Sequence, residues 1–262
     1  MMMGLWIIRR VAVLAVLLFL APGLQADPVW EVSKEGKRIW LGATVHFLRP
    51  ADLPPPTAMQ QAYKDADQLY LESNLAESAT PAFSRRLTQM MMQPDGRTLK
   101  KDLSDPVWGQ LQDYAAQANF PLATYQGFKP AMVSMAMTVH ELGRQGFGRG
   151  VDEYYFTRAQ QKGKAMGFLE SSDTLLSFMA QLNEESSDAL IESSLEGIEH
   201  MDGMMEQAVN AWREGDLDGL VQAVGARGTR RASTQMPEAD VYVIAVPTPF
   251  AKDGEHTPDT AY

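Results

Sequence analysis

The chain has 262 residues, of which 45% are hydrophobic and 21% are charged, a composition typical of a globular protein with a hydrophobic core. Its net charge of -10 at pH 7 argues against nucleic-acid binding, which needs clustered Lys and Arg. There is no cysteine, which excludes disulfides, zinc–thiolate sites and thiol catalysis.

The N-terminal segment MMMGLWIIRRVAVLAVLLFLAPGLQADP has the pattern of a secretory signal peptide. Arg9 and Arg10 precede an apolar run over 11–20, and Ala26 supplies the small residue at the expected cleavage site. The apolar run is shorter than the roughly 20 residues that span a bilayer. We therefore expect 1–26 to be a signal peptide and the protein to be exported, either periplasmic or secreted. If the segment stays uncleaved, it would be the protein's only membrane attachment.

The mature chain opens with a pattern that predicts β-β-α-β. Segments 29–33 and 38–44 are rich in β-branched and aromatic residues, and KEGK between them predicts a hairpin turn. A proline-rich loop then leads into TAMQQAYKDADQ, whose apolar residues recur at helical spacing. A short apolar strand is predicted at 68–73. This order places His46 and Glu72 at the C-terminal ends of two strands.

The remainder is predicted to be mostly helical. Thr80 and Asp105 each precede a proline, an arrangement that favours a helix start with the first residue as N-cap. A helix at 151–161 leads to a strand that ends at Glu170, and the acidic stretch 171–220 predicts two or three helices. Abundant methionine at helical spacing indicates core packing. The predicted fold class is α/β (mixed α+β), with a small central sheet and a large helical insertion.

His46 is the strongest candidate for chemistry, because a histidine at a strand end can bind a metal or act as a base near neutral pH. Glu72 and Glu170 end two further strands, and adjacent parallel strands end at the same edge of a sheet. One histidine and two glutamates would suit Mn²⁺ or a similar divalent ion. The alternative is three surface polar residues that terminate three strands. If the site exists, the three side chains should converge within about 5 Å, the range over which such groups couple.

The other motifs have structural explanations. His140 is expected at a helix end, His200 on a solvent-facing helix surface and His256 in a polar loop. The glycine-rich segment GFGRG at 146–150 follows a helix and lacks the full G-x-G-x-x-G pattern, so we interpret it as the loop that begins the next helix.

Three stretches resemble the TraB/GumN family, relatives of the Tiki proteases. These are VWEVSKEGKRIWLGATVHFLRPADLPPPTAMQQAYKDADQLYLESNL, GVDEYYFTRAQQKGKAMGFLES and AWREGDLDGL, and together they extend over about residues 28–220. The resemblance implies a TraB/Tiki-like fold and a metal-dependent hydrolase acting on a peptide or protein. His46 would then be the metal ligand or base, Glu72 the ligand or general acid/base, and Glu170 a further ligand.

The chain departs from the family pattern at two places. That pattern has two G-x-x-H motifs, whereas here Ala43 replaces the first glycine and no histidine follows LVQAVGARGTRRAS. The tail 237–262, with PEADVYVIAVPTPF, instead resembles part of the NAD-binding domain of UDP-glucose/GDP-mannose dehydrogenases. It lacks the glycine fingerprint, so NAD is not expected as a cofactor. We interpret 27–224 as an incomplete TraB/GumN-like domain and 225–262 as an atypical tail, joined by fusion or frameshift.

The favoured interpretation is an exported hydrolase with weak or no activity, because the second histidine motif is missing. One alternative is a non-enzymatic binding or regulatory module that uses the acidic helices over 173–218 as its partner surface. Another is a fused fragment of an NAD-dependent nucleotide-sugar dehydrogenase.

Overall fold

A computed structural model describes residues 27–34, 36–94, 96–223 and 241–245. The strands in these ranges are β1 (Val29–Lys34), β2 (Lys37–Thr44), β3 (Gln68–Ser73), β4 (Ala165–Glu170) and β5 (Val241–Ala245). The longer helices are α1 (Thr57–Asp65), α3 (Pro81–Met91), α5 (Asp105–Ala118), α6 (Pro130–Arg144), α7 (Val151–Lys162), α8 (Ser172–Leu182) and α9 (Ser187–Glu214). The shorter helices are α2 (Leu75–Ser78), α4 (Leu99–Asp102) and α10 (Leu217–Ala223).

The strands form two hydrogen-bonded groups. β1 and β2 make an antiparallel hairpin whose turn contains Gly36 at a φ of 78°, a conformation that favours glycine. β5 pairs in parallel with the other edge of β2, and β3 pairs in parallel with β4. β5 also lies against β3, so it is located between the two groups.

The predicted fold class is confirmed: the protein is a mixed α/β structure with a small strand set and many helices. Its opening β-β-α-β order also matches the prediction, and the acidic stretch forms three helices. The Thr80 cap is present, with its side chain accepting a hydrogen bond from the Phe83 N–H at 3.2 Å. One predicted cap is wrong, because Ser104 is the N-cap of α5 and Asp105 is already helical. Ser104 donates its backbone N–H to Asp188, which ties α5 to the start of α9.

The largest cluster of buried apolar side chains joins the strands to α1, α7 and α9. A second cluster lies between α5, α6 and α9, and a third packs α3, α6 and α8 around Met91 and Met179. These methionines fill the core, as their spacing predicted. Of the helices described here, none has the length and apolar character needed to cross a bilayer. The predicted signal peptide, His256 and most of the tail lie outside the described residues.

The end of α9 explains the pattern WREGD. The indole of Trp212 is buried and donates its Nε1–H to the Ala43 carbonyl oxygen at 2.9 Å. Gly215 ends the helix at a φ of 66°, and Asp216 then accepts a hydrogen bond from the Gly219 N–H at 2.9 Å. The long helix is thereby joined to the strand that leads into His46.

Replacing Trp212 with Phe should lower the free energy of unfolding by about 1–3 kcal/mol, because the buried Ala43 carbonyl loses its partner. Urea unfolding would measure the change. The matched control is Trp108→Phe on α5, where the indole is half-buried and a lysine lies over its ring. Equal losses in the two variants would contradict a specific role for the Trp212 hydrogen bond.

Candidate functional site

The imidazole of His46 lies between two carboxylates just beyond the end of β2. Its Nδ1 is 3.4 Å from Asp152 Oδ2, and its Nε2 is 3.6 Å from Glu72 Oε2. The three side chains are between 19% and 29% exposed, so the group is mostly buried but reachable from solvent. A carboxylate on each ring nitrogen controls both the tautomer and the charge of the imidazole.

The glycine-rich loop before α7 holds the backbone on which His46 sits. The Gly148 N–H donates to the Leu48 oxygen at 2.9 Å, and the Val151 N–H donates to the Val45 oxygen at 3.0 Å. Between them Gly150 approaches His46 so closely that an added Cβ would lie 2.3 Å from the His46 carbonyl carbon. Real side chains do not tolerate that separation, so glycine is needed here. The loop does begin a helix, as predicted, but it also forms one wall of the site.

Arg49 fixes the other end of the same segment. Its Nε donates to the Gln145 oxygen at 3.1 Å, and its Nη2 donates to Asp202 at 2.8 Å. The guanidinium carbon lies 4.1 Å from the centre of the Phe147 ring, within the range of a cation–π contact. The His46 segment is therefore held between the glycine-rich loop and helix α9.

Asp152 occupies the first turn of α7, where the positive end of the helix dipole favours a carboxylate. Its Oδ1 is buried without a hydrogen-bond partner among the described residues. The same is true of Oε2 of Glu72, the oxygen that faces His46. Two buried acceptor atoms beside one imidazole form a site at which a proton, a water molecule or a cation would be stabilised.

The environment shifts the pKa of His46 upward. Burial by itself lowers this pKa, but the hydrogen bond to Asp152 and the negative charges of Asp152 and Glu72 outweigh it. The pKa of Glu72 is raised mainly by burial; the His46 charge opposes this shift, and Glu170 and Asp152 add to it. The pair therefore holds a proton more readily than isolated side chains would.

Glu170 is near the pair but belongs to a different face of the strands. Glu170 is the last residue of β4 and lies opposite Ser73 on β3. Glu72 precedes Ser73, so its side chain points to the other face of the strands, the face that carries Leu169. Glu170 is exposed and acts on Glu72 through its charge. No three His, Asp or Glu side chains in the described ranges are arranged to hold a metal ion. The structure thus brings His46 and Glu72 together, while the assignment of Glu170 as a ligand stays a prediction.

The sequence interpretation missed Asp152. A signal was available, since a carboxylate in the first turn of a helix after a glycine-rich loop is placed to face whatever that loop contacts. The other described histidines fit their structural explanations. Nε2 of His140 lies 3.0 Å from the Ala118 oxygen and its ring packs edge-on to Phe120, while His200 is exposed on α9.

Comparison with known protein families identifies the family of this chain. The model described as "TraB/PrgY/gumN family" matches residues 28–244, which covers β1 to β4, most of β5, and the three site residues His46, Glu72 and Asp152. The chain belongs to the TraB/PrgY/gumN family. The match extends to residue 244, within β5, beyond the end of the resemblance at about residue 220.

A second similarity involves a much shorter piece of the TraB/PrgY/gumN chain. Over 49 residues it is 49% identical to the NDP-N-acetyl-D-galactosaminuronic acid dehydrogenase of Ralstonia solanacearum. That stretch is 19% of this chain, and it spans only 11% of the dehydrogenase. This agrees with the resemblance of the tail to a dehydrogenase fragment. No solved structure matches the chain.

Replacing Gly150 with Ala should destabilise the protein by about 1–3 kcal/mol, because the new methyl group must displace the His46 backbone. Thermal or urea unfolding measures the loss, and the His46 NMR resonances should shift. Gly148→Ala is the matched control, since no atom lies within 4 Å of its added Cβ and its N–H is retained. If both variants behave alike, the close approach at Gly150 is not what positions His46.

Asp152→Asn should lower the pKa of His46, because it removes one of the charges that favour the imidazolium. A raised folded pKa gives stability that is present below the unfolded value of about 6.5 and is lost as pH rises through the folded pKa. The wild-type free energy of unfolding should therefore fall across that pH window more than that of the variant. NMR titration of His46 and urea unfolding at several pH values test this, with the exposed His200 as the internal reference. An unchanged His46 titration would show that Asp152 does not act on it.

Proposed function

We propose that this TraB/PrgY/gumN protein is an exported hydrolase that cleaves peptide bonds by general acid–base catalysis at His46 and Glu72. The observation that supports the proposal is the position of the His46 imidazole between Asp152 and Glu72. Family membership supports the assignment to a hydrolase through the relationship to the Tiki proteases.

The residues suggest a division of roles. Asp152 accepts a hydrogen bond from Nδ1–H of His46, which leaves the lone pair of Nε2 directed toward Glu72. Nε2 can then take a proton from a water molecule as that water attacks the peptide carbonyl carbon. Glu72, whose pKa is raised, gives its proton to the leaving amine as the C–N bond breaks. His46 returns its proton to the Glu72 carboxylate across 3.6 Å, which restores both groups.

The predicted divalent metal ion fits this site only in part. Nε2 of His46 and Oε2 of Glu72 are 3.6 Å apart, close enough for two ligands with bonds of about 2.1 Å to share one ion. A catalytic ion needs about three protein ligands, and the described side chains do not supply three in a suitable arrangement. When bound, such an ion would polarise the carbonyl group and acidify water. We therefore assign no step to it and expect Mn²⁺ to bind weakly.

Low activity is part of the proposal. The family pattern has a second histidine motif, and in the corresponding sequence VGARG a glycine, Gly228, stands where the histidine would be expected. Rate enhancement in acyl transfer depends strongly on groups that stabilise the developing oxyanion. A site that keeps its base and acid but has lost such a partner should turn over slowly.

The alternatives receive less support. Several carboxylates of the acidic helical region pair within the protein: Asp173 with Arg86, and Asp202 and Glu206 with Arg49. These groups stabilise the fold, so a separate partner surface is not needed to explain them. The dehydrogenase similarity spans 11% of that enzyme, too little to form a dinucleotide site.

A fluorogenic peptide-library assay on the purified full chain tests the proposal. His46→Ala should lower the rate of peptide cleavage by at least about 100-fold, and Glu72→Gln should lower it comparably, because each removes one partner of the proton transfer. The matched control is His200→Ala on the exposed surface of α9, which should retain the wild-type rate.

Equal, nonzero rates in the wild type and His46→Ala would remove His46 from the mechanism. Calorimetry with Mn²⁺ supplies the separate test of metal binding. Heat of binding that persists unchanged in both His46→Ala and Glu72→Gln would place the ion elsewhere.

A further inference from the structure

The pairing of β3 with β4 places an exposed leucine beside the proposed acid. Leu71 lies opposite Phe168 and Ser73 lies opposite Glu170, so Leu169 is the neighbour of Glu72. In-register residues on adjacent parallel strands point to the same face. The pair Tyr70 and Gly167, two residues earlier on each strand, follows the same rule, because a Cβ added to Gly167 would lie 2.3 Å from the Tyr70 ring. Leu169 therefore shares the face that carries Glu72.

Exposed apolar side chains are concentrated at this point of the chain. Six large hydrophobic residues in the described ranges are prominently exposed, and three of them lie within the ten residues from Leu169 to Phe178. Leu169 is 46% exposed, and Leu175 and Phe178 are each 40% exposed. The last two are three residues apart and lie along one flank of α8, beside the face that buries Ser172, Leu176 and Met179.

We propose that Leu169, next to Glu72 on the strand face, is an apolar subsite that selects a substrate with an apolar side chain next to the scissile bond, and that the exposed Leu175 and Phe178 of the following helix add apolar surface. The inference rests on the proposed function, since it takes Glu72 to be the proton donor. The occupant follows from position and charge. A group bound at Glu72 lies beside Leu169, and the nearby Glu170 carboxylate disfavours an anionic side chain there.

The expected size of the preference follows from burial. An apolar side chain that is removed from water against Leu169 should raise kcat/KM, or affinity, by about 10- to 100-fold over a polar side chain of similar size. An aspartate at the same position should be disfavoured further by the carboxylate of Glu170. The preference should appear mainly in KM, because the contact forms when the substrate binds.

The experiment uses fluorescein-labelled peptides that are identical except for Leu, Asn or Asp at one position. Anisotropy gives their affinity for the full chain, and cleavage kinetics are measured on the same peptides. Leu169→Gln should abolish the preference for leucine. The matched control, Val139→Gln, replaces another apolar residue, on α6, that is 51% exposed and should leave the preference intact.

Each outcome decides the proposal. A wild-type preference for leucine of at least about 10-fold that is lost in Leu169→Gln and kept in Val139→Gln supports the subsite. Equal affinities for the three peptides, no binding of any of them, or a preference retained in Leu169→Gln would overturn it. Selective binding without cleavage would keep the subsite while the hydrolase proposal fails. Cleavage without selectivity would support the hydrolase proposal and overturn the subsite.

Discussion

The site depends on a backbone contact between two segments that are about a hundred residues apart in sequence. The N–H groups of Gly148 and Val151 donate to the carbonyl oxygens of Leu48 and Val45, and Gly150 lies against the His46 backbone. Because helix α7 begins at that contact, its first turn carries Asp152 to the imidazole. Main-chain hydrogen bonds fix this geometry without depending on the identity of most side chains. A single methyl group on Gly150 would disturb it.

This arrangement keeps charged side chains partly buried, which costs free energy of folding. Oε2 of Glu72 and Oδ1 of Asp152 are buried without a hydrogen-bond partner among the described residues. Burial of unsatisfied carboxylate oxygens is unfavourable, and it persists where the surrounding fold is stable enough to impose it. Here the main core, the Trp212 hydrogen bond and the Arg49 contacts provide that stability. Carboxylates with a perturbed pKa beside a partly exposed histidine are typical of functional sites.

The sequence predicted the parts of the structure that depend on local patterns. Strand alternation, helix periodicity and the Thr80–Pro81 cap identified most elements, and strand ends identified His46 and Glu72. Asp152 was not predicted because its role depends on a contact between distant parts of the chain, and no local sequence pattern indicates such a contact. The register of β3 and β4 decides whether Glu170 or Leu169 lies beside Glu72. A shift of one residue exchanges the two faces, and hydrophobic spacing alone does not determine it at a strand end.

The strand β5 shows how the sheet depends on the C-terminal part of the chain. β5 comes from the part of the chain that resembles a dehydrogenase, yet it pairs in parallel with β2 from Trp40 to Thr44. A strand that pairs in parallel with β2 needs main-chain hydrogen bonds and an apolar sequence, and VYVIA, from a segment that resembles another family, meets both requirements. A catalytic histidine has no such substitute, because its chemistry requires one side chain at one place. A change of the C-terminal sequence would therefore preserve the sheet more readily than a second histidine motif, and it would leave His46, Asp152 and Glu72 assembled.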